Sequence, residues 1–274
     1  MQTLWYLSEA DTRWACGRID SVEIVRATLT SRSPRPPAGG RAGGLIVLVD
    51  PGCVMAATPV AEVRSAAVTV ASAQALLCQP VITVGVVGAG EAAVANVELL
   101  ASTLTGVAGI AVYDPDAELA ERMRDRTADL LWRHGVRLSL TESAREAVLG
   151  ADLVVAALGG AVGAIEHSWL SPGAVVVDLS TDGVLPCVVH EADLLLVDDW
   201  SLVTGVLGRM RAAGELDAEG AGLGDVLAGA HPGRRDPEAV ILVCPYGPAV
   251  LDVALATEAC RAALLDRRGI ALPT

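Results

Sequence analysis

Seven short runs rich in Val, Leu and Ile recur along the chain, at about residues 81–87, 109–113, 136–140, 152–157, 174–179, 193–197 and 240–243. Most are apolar at consecutive positions rather than at alternate ones, so each strand must be buried on both faces. Helical patterns fall between them at about 91–104, 117–133, 143–149 and 200–213, and a long last helix lies near 248–267. Strands of this kind separated by helices specify a parallel sheet with helices on both sides. The expected class is α/β, a doubly wound parallel sheet.

The beginning of the chain reads differently. MQTLWYLSEADTRWACG opens on a short apolar run, SEAD marks a helix start, and IDSVEIVRATL is spaced as a short amphipathic helix. SRSPRPPAGGRAGG, residues 31–44, is rich in Pro, Gly and Arg without periodicity and reads as a loop. LIVLVD follows as a strand ending in a turn at Asp50–Gly52, and a helix is expected from Pro59 to Cys78. Residues 65–90 carry no charged side chain and are long enough to cross a bilayer. Gln74, Gln79 and Pro80 interrupt that stretch and the β-rich VITVGVV follows, so a buried helix and then a buried strand is the better reading.

Composition removes whole classes of function. With a net charge of −13, no basic stripe could neutralise phosphates, so nucleic acid and anionic membrane surfaces are not expected partners. All 20 basic residues are arginine; without lysine there can be no Schiff base, no pyridoxal-phosphate lysine and no GxxxxGK phosphate loop. The absence of Phe leaves the core to Ala, Val and Leu. Six cysteines without a CxxC pair, and no secretory leader, read as free thiols in a cytoplasmic protein. Four histidines without ligand spacing imply no metal.

The stretch VITVGVVGAGEAAVANVE carries the chemistry. A strand meets the turn Gly88-Ala89-Gly90 and a helix opens at Glu91, so its first N–H groups face an anion. Gly88 allows the turn, Gly90 lets a pyrophosphate approach the backbone, and Ala93 fits where helix meets strand. The next strand ends at Asp114, where an acid would bond a ribose 2′-hydroxyl. Pro115 and Asp116 follow rather than arginine, which favours NAD over NADP. The expected cofactor contacts are Gly88, Ala89, Gly90, Glu91, Ala92, Asp114, Leu158 and Gly159, although the Glu91 carboxylate fits a bound pyrophosphate poorly.

Four segments resemble the ornithine cyclodeaminase/mu-crystallin family. Arg64-Ser65-Ala66-Ala67 is similar to that family's RTAA, and GAGEAAVANVE to its GxGxQAxxQxE. PGAVVVDLSTD at 172–182 matches its PGxxxxxxGxD, while DVLAGAHPGR at 225–234 with YGPAVLD at 246–252 resembles its C-terminal ending. The resemblance implies a Rossmann-type NAD-binding domain, residues 79–245, inserted in a smaller α+β substrate and dimerisation domain of residues 1–78 plus 246–274. It implies a homodimer acting on a small amino or imino acid. It also makes Asp182 the proton-handling residue and Arg64 the carboxylate clamp, with Gly247 as a further substrate contact. Read from the residues alone, Asp182 also fits a plain STDG turn, and Arg64 a surface charge paired with Glu62 or Asp50.

The chain departs from the family where substrate is concerned. The strands that precede LIVLVD in the family, with a second arginine and a lysine, give way here to the 31–44 loop. Arg35 or Arg41 could replace that arginine, though solvation in a loop explains both. Glu166 and His167, in a loop after the fourth strand, could reach a nicotinamide or remain loop surface. Three readings therefore stand. The first is an NAD(H)-dependent oxidoreductase at a C–N bond, an imine reductase or amino-acid dehydrogenase. The second is a cyclodeaminase using bound NAD without net redox. The third is a non-catalytic nucleotide-binding protein or partner subunit, and another chain could also complete the site.

Overall fold

The structure is a computed structural model that describes residues 3–31, 38–79, 82–158, 165–180, 186–216 and 219–272. In chain order it begins with β1 (Leu4–Leu7), α1 (Glu9–Cys16), α2 (Ser21–Thr30), β2 (Gly39–Ala42), β3 (Leu45–Leu48), β4 (Cys53–Ala56) and α3 (Ala57–Leu76). Next come β5 (Ile82–Val87), α4 (Glu91–Thr103), β6 (Val107–Tyr113), α5 (Ala117–His134), β7 (Arg137–Leu140), α6 (Ala144–Val148) and β8 (Leu153–Ala156). The remainder comprises β9 (Val175–Asp178), α7 (Pro186–Glu191), β10 (Leu194–Val197), α8 (Gly205–Ala213), β11 (Glu219–Gly222), α9 (Leu223–Leu227), β12 (Ile241–Cys244), α10 (Ala249–Leu265) and β13 (Ile270–Leu272). Two compact units result, residues 1–68 with 247–274 and residues 69–246, divided within α3.

In the first unit a five-stranded sheet runs in the order β13-β1-β4-β3-β2. Leu7, Ile46, Leu48, Cys53 and Met55 are buried on one face of it. The helix α10 contributes Leu251, Leu255, Ala256 and Ala259 to the same core, and it contacts β3, α1 and α2. Small side chains let this helix lie close in a chain without Phe. Cys53 on β4 and Cys260 on α10 are both buried in this layer. Ser8 and Asp20 accept from backbone N–H groups at the starts of α1 and α2 and so fix where each helix begins.

One expectation is corrected here. Residues 39–42, within the expected loop, form the strand β2, antiparallel to β3 with Arg41 opposite Ile46. GGRA contains no β-forming residue; its conformation comes from pairing with β3, a tertiary effect that overrides propensity.

In the second unit eight strands form a sheet in the order β11-β10-β12-β9-β8-β5-β6-β7, and every pairing is parallel. The seven expected strands are all present, and β11 adds an eighth. The helix expected over 200–213 is split, with a 3₁₀ turn at Trp200–Leu202 before α8. Because β5 pairs with both β6 and β8, the strand order reverses beside it, which is where sheets of this kind open a ligand crevice. Within residues 65–90, α3 is followed by β5. Among the described residues no helix is long and apolar enough to cross a membrane.

Candidate functional site

The turn after β5 has the geometry of an anion cradle. Gly88 has φ +108°, and its N–H donates to Tyr113 O at the end of β6. A Cβ here would come within 2.8 Å of Leu158 N and 2.9 Å of Ala157 C, so glycine is required by both conformation and space. Leu158 thereby stands against the turn. Gly90 is the opposite case: a Cβ on it would meet nothing within 4 Å, which leaves room above the backbone. No side chain caps α4 at Gly90, and its first intrahelical bond runs from Val94 N to Gly90 O. The N–H groups of Ala92 and Ala93 therefore have no partner within the helix and suit a phosphate.

Asp114 is buried and tied to the same turn. Its Oδ2 accepts from Ala89 N at 2.7 Å, and its Oδ1 accepts from Asp116 N at 2.9 Å. The carboxylate thus holds the cradle in shape from 25 residues away. The Glu91 carboxylate, a poor neighbour for a pyrophosphate, is engaged by Arg126 on α5, whose Nη1 lies 2.8 Å from each of its oxygens. That pairing offsets part of its charge.

The first unit carries an arginine-rich cluster. Arg64, on α3, donates from Nη1 to Asp252 Oδ1 on α10 at 2.5 Å. Asp252 is almost wholly buried, and Arg41 Nη1 lies 3.5 Å from its other oxygen. Arg41 is thus not merely solvated in a loop, and the partner of Arg64 is neither Glu62 nor Asp50. Glu62 is paired instead with Arg13. Among the described residues Asp252 is the one hydrogen-bond partner of Arg64, and the Arg64 side chain keeps 16% of its surface exposed. Gly247, at φ +71°, explains its own identity: a Cβ there would overlap that guanidinium. The motif YGPAVLD therefore supplies the space and the counter-charge that orient Arg64. Asp252 was not among the expected site residues because its role depends on a partner 188 positions away.

Two other motifs resolve differently. Arg234, which ends DVLAGAHPGR, donates from Nε to Leu76 O, from Nη2 to Gly173 O, and from Nη1 to Ala239 O. It ties three separate backbone segments together and is structural. His167 Nδ1 lies 3.1 Å from Glu191 on α7, so this histidine is held at the helix layer. Asp182, Gly159 and Arg35 lie outside the described residues. Among the described residues, no group of three or more His, Cys, Asp or Glu could hold a metal.

The profile of the ornithine cyclodeaminase/mu-crystallin family matches residues 44–263. The N-((2S)-2-amino-2-carboxyethyl)-L-glutamate dehydrogenase of Staphylococcus aureus is 30% identical over 226 residues, 79% of this chain and 67% of that protein. Among solved structures, the Delta(1)-pyrroline-2-carboxylate reductase of Thermococcus litoralis, in complex with NADH and L-proline, superposes with a TM-score of 0.81 at 16% identity. That match covers 98% of this chain and 100% of the other. An archaeal alanine dehydrogenase dimer with bound NAD superposes with a TM-score of 0.79 at 16% identity, covering 99% of each chain. At such identities the two structures establish the fold.

Proposed function

This chain belongs to the ornithine cyclodeaminase/mu-crystallin family, and we propose that it is an NAD(H)-dependent oxidoreductase acting on the C–N bond of a small amino or imino acid. The carrying observation is the cradle: Gly88 locked against Leu158, open space over Gly90, and a start of α4 that no N-cap side chain closes, with Asp114 bonded to Ala89. These residues fit a dinucleotide. Backbone N–H groups of Glu91, Ala92 and Ala93 would hold the pyrophosphate, and Asp114 would meet the ribose. No arginine follows Asp114, so NAD is favoured over NADP.

NAD(H), when bound, supplies or accepts the hydride. The chain's own residues bind and orient the substrate. Arg64, aimed by Asp252 and Gly247, would take the substrate carboxylate, with Arg41 as neighbouring positive charge. Asp182 is assigned the proton on sequence grounds. The dehydrogenase named for the Staphylococcus aureus relative favours net redox over cyclodeamination. Following nicotinamide absorbance together with ammonia tests this. A dehydrogenase changes the nucleotide stoichiometrically, whereas a cyclodeaminase releases ammonia with no net change, and a binding protein does neither.

The reading includes a homodimer. The face of the five-stranded sheet opposite its core presents Ile270, Tyr6, Val54 and Val47 in one cross-strand row. Ile270 is 61% exposed and Val49, just past the end of β3, 63%. An apolar sheet face of this kind is suited to cover by a second copy of the chain. Light scattering or sedimentation checks that mass.

A further inference from the structure

Asp178 ends β9, at the carboxyl edge of the parallel sheet, and none of the roles assigned above uses it. It is only 5% exposed. Its Oδ1 accepts from Ser180 N at 2.9 Å and from Ser180 Oγ at 2.5 Å. Its Oδ2 is buried and, among the described residues, has no hydrogen-bond partner. Nor does any arginine of the described residues pair with it. Burial pushes its carboxyl up to about 6, against the lowering effect of Ser180. A buried acid without a cation is costly when ionised, and that cost falls if a positive charge arrives with a ligand.

Its place in the sheet indicates which ligand that would be. Val87, just before the cradle, pairs with Ala156 on β8, and Ala156 pairs with Asp178. Two strand spacings put Asp178 about 10 Å from the cradle, on the second half of the sheet. In doubly wound sheets a dinucleotide lies across the reversal point with its two halves on the two halves of the sheet. The adenosine half belongs to Asp114, just past the end of β6, so the β8–β9 edge is left for the nicotinamide half. Among the described residues the neighbouring groups do not compensate Asp178. Cys244, ending β12 beside it, is fully buried, and burial pushes its thiol well up, with Asp178 and Asp198 adding to the effect. Asp198, after β10, adds negative charge and is occupied by Tyr246 N. On the β8 side the neighbour is Ala156.

We propose that Asp178 is the residue that reads the oxidation state of the nucleotide, its ionised carboxylate favouring the cationic nicotinamide ring of NAD⁺ over the neutral ring of NADH. This inference rests on the nucleotide reading given above. The test is calorimetric titration of the full chain with NAD⁺, NADH and ADP-ribose from about pH 5 to about pH 8, in the native protein and in Asp178→Asn. As the carboxyl ionises, the preference for NAD⁺ over NADH rises about fourfold to tenfold in the native protein. In Asp178→Asn it stays flat, and ADP-ribose, which lacks the nicotinamide, binds equally at all pH values in both proteins. A flat preference in the native protein, or a rise that persists in the variant, overturns the assignment while leaving nucleotide binding intact. Failure of all three ligands to bind the native protein overturns the nucleotide reading and this inference together. ADP-ribose binding by the variant also reports that it has folded.

Discussion

Gly247 and Arg64 fit together only because residue 247 has no side chain: a Cβ there would occupy the Arg64 guanidinium. The backbone at Gly247 is also in the left-handed region, at φ +71°. Gly247→Ala is therefore expected to destabilise the fold by about 2–4 kcal/mol, from backbone strain and overpacking together. Urea unfolding measures the loss. Nucleotide affinity, which depends on other residues, should be unchanged.

Asp252 is the counterpart of that relationship. Removing its carboxylate leaves Arg64, a largely buried cation, without its hydrogen-bond partner. Asp252→Ala should cost about 2–4 kcal/mol, at the lower part of the range for broken buried pairs because Arg41 is half exposed. Asp252→Asn keeps the shape and an acceptor and should cost less. Equal losses for the two variants, measured by denaturant midpoint, would show that the retained acceptor and shape contribute nothing and that the charge accounts for the whole effect.

Arg234 anchors three backbone carbonyls from segments far apart in the chain. Arg234→Ala should lower stability by about 2–3 kcal/mol by leaving those acceptors unpaired. Arg234→Lys should recover little of it, since an ammonium cannot reproduce the planar fork. Thermal unfolding of the two variants checks this, with nucleotide binding unaltered below the transition.

The raised carboxyl of Asp178 has a stability consequence of definite sign. Its ordinary value of 3.8 rises to about 6 in the folded chain, so the folded state binds the proton more tightly than the unfolded state. Stability contributed by this group is present below the unfolded value and is lost as pH rises toward about 6. Without bound nucleotide, Asp178→Asn should be more stable than the native protein near neutrality by about 3 kcal/mol or less, and the difference should shrink as pH falls and vanish below the unfolded value of 3.8. Denaturant unfolding across that pH range decides it.

These particulars show where the sequence was readable. The strands of the parallel sheet were legible because burial on both faces demands apolar residues at successive positions, as in LVVA of β8 and LLLV of β10. The cradle was legible because its glycines, helix start and acid are spaced by local backbone geometry. GGRA of β2 and EGAG of β11 were not, since their strand conformation comes from the neighbours they pair with. Side-chain partnerships across long separations were equally hidden. Nothing near Glu91 signals that Arg126 would neutralise it, or that Asp252 would aim Arg64. Nothing in PGAVVVDLSTD sets Asp178 apart from any residue ending a strand; its buried oxygen, without a hydrogen-bond partner among the described residues, is a product of the fold.

The most direct measurement of the whole account is a calorimetric titration of the purified chain with NAD⁺ and with NADP⁺. The account predicts saturable binding of NAD⁺, binding of NADP⁺ at least about tenfold weaker because a 2′-phosphate would meet Asp114, and loss of most NAD⁺ affinity in Asp114→Ala. Absence of heat with either nucleotide at millimolar concentration would contradict it, as would an Asp114→Ala variant that binds NAD⁺ like the native protein.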